Sequence, residues 1–287
     1  MGFWESTRKG WSFISAAFGM ARDNKKLLLP SVLQLLVTVG YIVAWVAVLV
    51  ALEPQWSDGT WALVCGAATL GSFIIFYFFN GVTVNMVDVH LKGGTPSVRE
   101  GAKDAARNIV AIVFLSLVST IVDQLVRAIR EESGILGRIV AGLVDAVWTT
   151  VTFLLLPAII IEDAGFVQAM KRVRELHKNN LLLIGVGEVG VRAVTGLIGL
   201  VWFLLIAGVV YAAYSAVGGT GALVLSLVVG GGMFAAFVAF ATFVRMAYYT
   251  CLYLWAVDVE RKGEAAPAPL PLAIALGHAH HGRREAA

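Results

Sequence analysis

The sequence predicts an all-α integral membrane protein: six transmembrane helices as three hairpins, each preceded by a cytoplasmic interfacial amphipathic helix. Three observations carry this. Hydrophobic residues make up 59% of the 287 residues and charged residues only 14%, where soluble domains have about 45–50% and 25%. Mean hydropathy is +0.81. The apolar residues also fall into six segments that meet or approach the roughly 20 needed to cross a bilayer. Soluble folds, disordered chains and disulfide scaffolds are thereby excluded.

The first span is Leu27–Leu52. It is too long for a signal-peptide core and no small-x-small cleavage pattern follows it, so it reads as a retained span. The second is Trp61–Val87 and the third Ile109–Ile129, interrupted late by Asp123 and Arg127. The fourth, Leu136–Ile161, carries Arg138 and Asp145. The fifth, Leu181–Ala213, carries Glu188 and Arg192. The sixth, Gly221–Val257, carries Arg245. The last two exceed what a bilayer needs, which predicts tilt or extension beyond it.

Orientation follows from the basic residues. Arg8, Lys9, Arg22, Lys25 and Lys26 precede the first span. Lys92, Arg99, Lys103 and Arg107 lie between the second and third. Lys171, Arg172, Arg174 and Lys178 lie between the fourth and fifth, and Arg261, Lys262, Arg283 and Arg284 follow the sixth. On the other side stand only Arg127, Arg130 and Arg138, so both termini are expected in the cytoplasm. The net charge of +3 therefore reports topology and not nucleic-acid binding.

Each basic segment reads as a helix leading into a span. Trp4, Trp11, Ile14 and Phe18 share one face of the first, Val98, Ala102, Ala105 and Ile109 one face of the second, and Phe166, Met170, Val173 and His177 one face of the third. Such spacings mark helices with one apolar side. Trp4, Trp11, Phe18, Lys25 and Lys26 are the expected lipid-interface anchors. The even-numbered spans also end alike, in an apolar run, an acid and a glycine: Asp88 to Gly93, Glu162 to Gly165 and Asp258 to Gly263. These endings suggest repeats at 1–94, 95–165 and 166–262 within one six-span domain, residues 1–262, followed by a flexible cytoplasmic tail, 263–287.

Several stretches carry a resemblance: Trp11-x-Phe13, Asp23-Asn24-Lys25-Lys26, Leu27-Leu28-Leu29-Pro30, Phe76-Tyr77-Phe78-Phe79-Asn80, and Thr152-Phe153-Leu154-Leu155-Leu156-Pro157 to Glu162. Over residues 8–262 the chain resembles a family of prokaryotic six-span membrane proteins of unknown function. More distantly it is similar to the membrane domain fused to some glycerophosphodiester phosphodiesterases. The resemblance implies a prokaryotic cytoplasmic-membrane location and assigns no chemistry, since the catalytic barrel of those enzymes has no counterpart here.

Intramembrane charges are the best functional leads, because a charge at the bilayer centre costs at least about 2.5–3.5 kcal/mol. Asp123 and Arg127, and likewise Glu188 and Arg192, stand four apart and can pair along one helix. Arg138 and Asp145 complete the candidate polar site, with Arg127 or Arg192 as the expected cross-helix partner of Asp145. These residues serve either a salt-bridge network that fixes packing or a polar path for an ion, small solute or lipid. Gly185-x-Gly187-x-x-Gly190 fits a dinucleotide fingerprint only as a string, since it lies in an apolar helix rather than after a strand. Gly230-Gly231-Gly232 predicts close helix packing or a hinge, and Pro157 a structural kink. Cys65 and Cys251 read as inert thiols. His278, His280 and His281 are too few for a closed metal site, and no cofactor is expected. His90 and His177 have no nucleophile motif around them, so no enzyme is expected. The resulting expectation is a non-enzymatic scaffold or bilayer-organising component, with the lipid bilayer and a second copy or a membrane protein as partners. The alternative is a channel or transporter.

Overall fold

A computed structural model describes the backbone of residues 3–52, 57–132, 134–263 and 266–276; side chains are described for these except 3–7, 9, 52, 58, 132, 177–193, 217 and 275–276. The described residues are predominantly helical, with no strand among them. The helices are α1 (Phe3–Asp23), α2 (Leu29–Leu52), α3 (Asp58–Leu91), α4 (Val98–Arg107), α5 (Ile109–Glu132), α6 (Gly134–Ile161), α7 (Phe166–Val217), α8 (Gly219–Lys262) and α9 (Leu270–Leu276). Six of them are long and apolar enough to cross a membrane, with spans at Lys25–Ala51, Gly59–Leu91, Ile109–Glu131, Gly134–Ile161, Val194–Ala216 and Gly219–Lys262. The protein is therefore a multi-pass membrane protein.

Contacts divide the chain into two compact units, Met1–Leu35 with Lys178–Ala287, and Leu36–His177. In the first unit, α1 buries Phe13, Ile14, Ala17, Met20 and Ala21. Phe13 meets the ring of Tyr248 on α8 edge-on at 5.1 Å. Ile14, expected beside Trp11 and Phe18, lies on this buried side; Trp11 and Phe18 form a separate face, 59% and 57% exposed, alongside exposed Arg8 and Arg22. A single turn of 3-10 helix, Lys25–Leu28, joins α1 to α2, with the Asn24 side chain accepting from the Lys26 N–H at 3.2 Å. Lys25 and Lys26 are exposed there. Trp4 has no described side chain.

The segment expected to form a flexible tail is partly ordered. Its residues 266–276 return to α1 through α9, with Ala266 and Leu272 buried. Trp255 of α8 donates its indole N–H to the Ala266 carbonyl at 3.2 Å. Leu272 is the buried leucine of α9 while Leu270 and Ile274 are exposed, and the Pro269 carbonyl accepts from the N–H groups of Leu272 and Ala273 at 2.9 and 2.8 Å. Prolines bias the backbone toward such a helix start.

Between α7 and α8, Trp202 donates to the Met233 carbonyl at 2.9 Å and stacks on Phe237 at 6.5 Å. A Cβ at Gly199 would stand 3.0 Å from Phe237, and one at Gly230 3.1 Å from Val210. The triple glycine thus contributes close packing at Gly230, while Gly231 and Gly232 face open space. The helix runs unbroken through all three.

In the second unit α3 packs on α4, α5 and α6. Tyr41 of α2 donates its hydroxyl to the Ala68 carbonyl at 3.1 Å and occupies the place a Cβ at Gly71 would take. Ser119 of α5 joins three helices: its hydroxyl bonds the Tyr77 hydroxyl of α3 at 2.8 Å and accepts from the Trp148 indole of α6 at 3.2 Å.

The helix expected before the third span is α4, set off from α5 at Asn108, whereas the one expected before the fifth span is continuous with it. Hydrogen bonding runs through Asn108, whose N–H donates to Asp104 at 3.3 Å and whose carbonyl accepts from Ile112 at 3.0 Å. Accordingly α4 enters α5 across a kink. α7 is one helix of 52 residues. Lys178-Asn179-Asn180 contains neither Gly nor Pro, so nothing there stops it.

Left-handed residues follow several helices, Gly218 (φ 64) after α7 among them. Gly93 (φ 78) closes α3, Gly263 (φ 82) closes α8, and Asp163 (φ 49) follows α6.

Candidate functional site

Of the charges expected inside the membrane, Arg245 lies on α8, and Asp123, Arg127, Arg138 and Asp145 lie on α5 and α6 in the second unit. Asp123 accepts from Arg127 at 2.8 Å, with side chains 29% and 62% exposed. Asp145 pairs with Arg130 at 3.4 Å, and both are about half exposed. Arg130 is thus a partner of Asp145, while the expected Arg127 pairs with Asp123. The register of two helices decides this, and spacing along one helix does not contain it. Arg138 is exposed in the first turn of α6. Arg130 and Arg138 sit near the last and first turns of their helices, where long side chains reach the headgroups, whereas Asp123 lies nine residues before the end of α5 and Asp145 eleven residues into α6, and each acid has an arginine partner. The side chains of Glu188 and Arg192 lie outside the described residues, as do those of His278, His280 and His281.

A second cluster, not anticipated from the sequence, forms at the basic end of the same unit. Gly101 makes it possible. A Cβ there would stand 3.0 Å from Val82 Cγ1 and 3.1 Å from the Val82 carbonyl oxygen, so only glycine lets α4 lie this close to α3. The close approach brings Asp104 within 3.0 Å of the Asn85 amide, which donates to it. One residue past α4, the Asn108 amide donates to Asp163 at 2.9 Å and to the Asp104 carbonyl at 3.3 Å. Arg172 donates to Glu162 at 3.1 Å, fixing the start of α7 against the end of α6. Lys92 and Asp88 close the end of α3 at 2.7 Å. Asp88 is 9% exposed, and its second carboxylate oxygen has no hydrogen-bond partner among the described residues.

Burial pushes the Asp104 carboxyl above the ordinary carboxylate range; Asn85 opposes this, Asp163 adds to it, and Arg107 lowers it again. A raised folded-state pKa means that the folded protein holds the proton more tightly than the unfolded one. Its stability contribution is therefore present below the ordinary carboxylate value and is lost as pH rises through the raised one. Asp104→Asn keeps an acceptor for Asn85 and removes the charge. The variant is expected to gain in thermal midpoint relative to wild type as pH rises from about 4 to 7. A variant that instead loses ground over that range would show the charge to be net stabilising.

The cluster opens onto a pocket of about 420 Å³ lined by Arg107, Asn108, Val110, Phe114, Asp163 and Val167, among others. Groups of three or more metal-ligating side chains are absent among the described residues. Asp163 is the one non-glycine residue at positive φ among the described residues.

A family model described as a family of unknown function matches residues 63–262. The chain belongs to the DUF6159 family. The match takes in most of α3 and all of α4 to α8, including every residue of the basic-end cluster. It is shorter than the resemblance over residues 8–262, and α1, α2 and α9 of this DUF6159 protein lie outside it. Comparison with curated proteins gave no match.

Proposed function

We propose that this DUF6159 protein is a non-enzymatic scaffold of the prokaryotic cytoplasmic membrane that organises the bilayer and assembles with itself or with a membrane partner. The observation that carries the proposal is the state of two spans. The most apolar windows of Lys25–Ala51 and Val194–Ala216 bury none of their residues inside the chain. Gly40 on the first, and Gly196 and Gly208 on the second, have nothing within 4 Å of a Cβ. In a bilayer, faces with exposed small residues are the ones on which helices from other chains approach closely.

Three further features support the same reading. The basic loops favour cytoplasmic termini. The exposed Trp11 and Phe18, flanked by Arg8, Arg22, Lys25 and Lys26, suit an interfacial anchor. The like endings Asp88 to Gly93 and Asp258 to Gly263 fit a design of related hairpins. The distant likeness to a membrane domain fused to glycerophosphodiester phosphodiesterases agrees with it, because there the chemistry belongs to a separate barrel.

The proposal is tested with donor- and acceptor-labelled copies in one set of vesicles. Energy transfer is expected in wild type, and Gly208→Leu is expected to weaken association about tenfold, the equivalent of 1–2 kcal/mol of helix packing. Selective ion or solute flux lost in Glu188→Gln or Arg192→Met, with folding intact, would overturn it in favour of a channel or transporter.

A further inference from the structure

We propose that the pocket between Arg107 and Asp163 binds a phospholipid whose headgroup carries a primary amine. The phosphate lies at Arg107, the ammonium at Asp163, and one acyl chain runs down past Val110 and Phe114. The inference needs only the membrane span boundaries and the pocket; it does not depend on self-assembly.

Depth comes first. Arg107 and Asn108 immediately precede the span Ile109–Glu131, and Asp163 follows two residues after Gly134–Ile161. The polar wall therefore stands at headgroup level. Val110 and Phe114 continue down α5 into the apolar layer, Phe114 about 10 Å below Arg107. Both are lipid-accessible, at 66% and 53% exposed, and Val167 across the pocket is 64% exposed. A volume of about 420 Å³ accommodates a headgroup and the first part of a chain, within the ordinary range of small-molecule sites.

Charge then selects the headgroup. Arg107 is exposed, and a guanidinium suits a phosphate diester in geometry as well as charge. A site for a purely anionic lipid would gain nothing from a carboxylate facing the same cavity. Asp163 lines it all the same, and among the described residues no ion pair joins Asp163 to Arg107. Two opposite charges that share a cavity without meeting leave room for a ligand carrying both signs. Asn108 takes one oxygen of Asp163 and so orients the carboxylate. The position itself is costly: the matching ends of α3 and α8 use Gly93 and Gly263, whereas α6 holds an acidic side chain in the left-handed region. That conformation disfavours any residue with a Cβ, although Asp and Asn bear it best. A primary ammonium donates hydrogen bonds to a carboxylate, and a quaternary one cannot.

The test uses the full chain purified from detergent, then offered ethanolamine, choline or glycerol phospholipids of identical acyl chains, with retention read by native mass spectrometry. Wild type is expected to retain the ethanolamine lipid about tenfold over the other two. Asp163→Asn keeps the left-handed tolerance and the acceptor for Asn108. It is expected to abolish the preference for ethanolamine over choline lipid while leaving the thermal midpoint in place. Arg107→Gln is expected to weaken all three, and Asp258→Asn, on α8, to change none. Glycerophosphoethanolamine, which lacks acyl chains, is expected not to compete. Equal retention of the three lipids by wild type, a preference for the anionic lipid, unchanged selectivity in Asp163→Asn, or full competition by the chainless headgroup would each overturn the proposal.

Discussion

Replacing Gly101 by leucine is expected to lift α4 off α3 and lower the thermal midpoint of the purified protein. A first side-chain carbon at this position already stands 3.0 Å from Val82 Cγ1, 3.1 Å from the Val82 carbonyl oxygen and 3.4 Å from Asn85 Oδ1. The valine methyl can turn aside, but the carbonyl oxygen belongs to the hydrogen-bonded ladder of α3 and cannot. Overpacking of this kind costs about 1–3 kcal/mol, and the remaining carbons of leucine find the same wall. Asn85 and Asp104 then part, and the kink at Asn108 loses one of its supports. Amide exchange in residues 98–107 is expected to quicken while that of α8 stays as it was. An unchanged midpoint with unchanged exchange in α4 would show that the close approach is not required.

The second large effect is expected at Ser119. It is 1% exposed, and its one oxygen serves both the Tyr77 hydroxyl and the Trp148 indole. Ser119→Ala removes that oxygen in a region without water to replace it. A buried donor left unsatisfied costs about 1–3 kcal/mol, although single interhelical hydrogen bonds in membrane proteins measure nearer about 0.6. Tyr77 keeps Thr152 as a second partner, so the loss falls mainly on Trp148. Trp148 fluorescence is expected to shift together with a drop in thermal midpoint, and Ser119→Thr, which keeps the hydroxyl, to restore both. A drop in Ser119→Thr as large as in Ser119→Ala would point to packing volume instead of the hydrogen bond.

The spans were legible because their signal is averaged over twenty or more residues. The end of α3 was legible too, since Gly93 marks a left-handed stop. What one sequence does not carry is register between helices. The four-residue spacing of Asp123 and Arg127 could be read directly, whereas Arg130 with Asp145 depends on how α5 meets α6. Arg107 and Asp163 come together from positions more than fifty residues apart. Local composition misled in two places. Lys178-Asn179-Asn180 resembles a connection but lies within α7, and the proline- and alanine-rich stretch after Gly263 resembles a tail but folds back as α9.

Counting photobleaching steps of singly labelled protein in vesicles at very low protein density tests the central claim most directly. The scaffold account predicts two or more steps per spot for wild type, falling to one in a chain carrying both Gly40→Leu and Gly208→Leu. Single steps throughout for wild type, at densities where folding is intact, would contradict it.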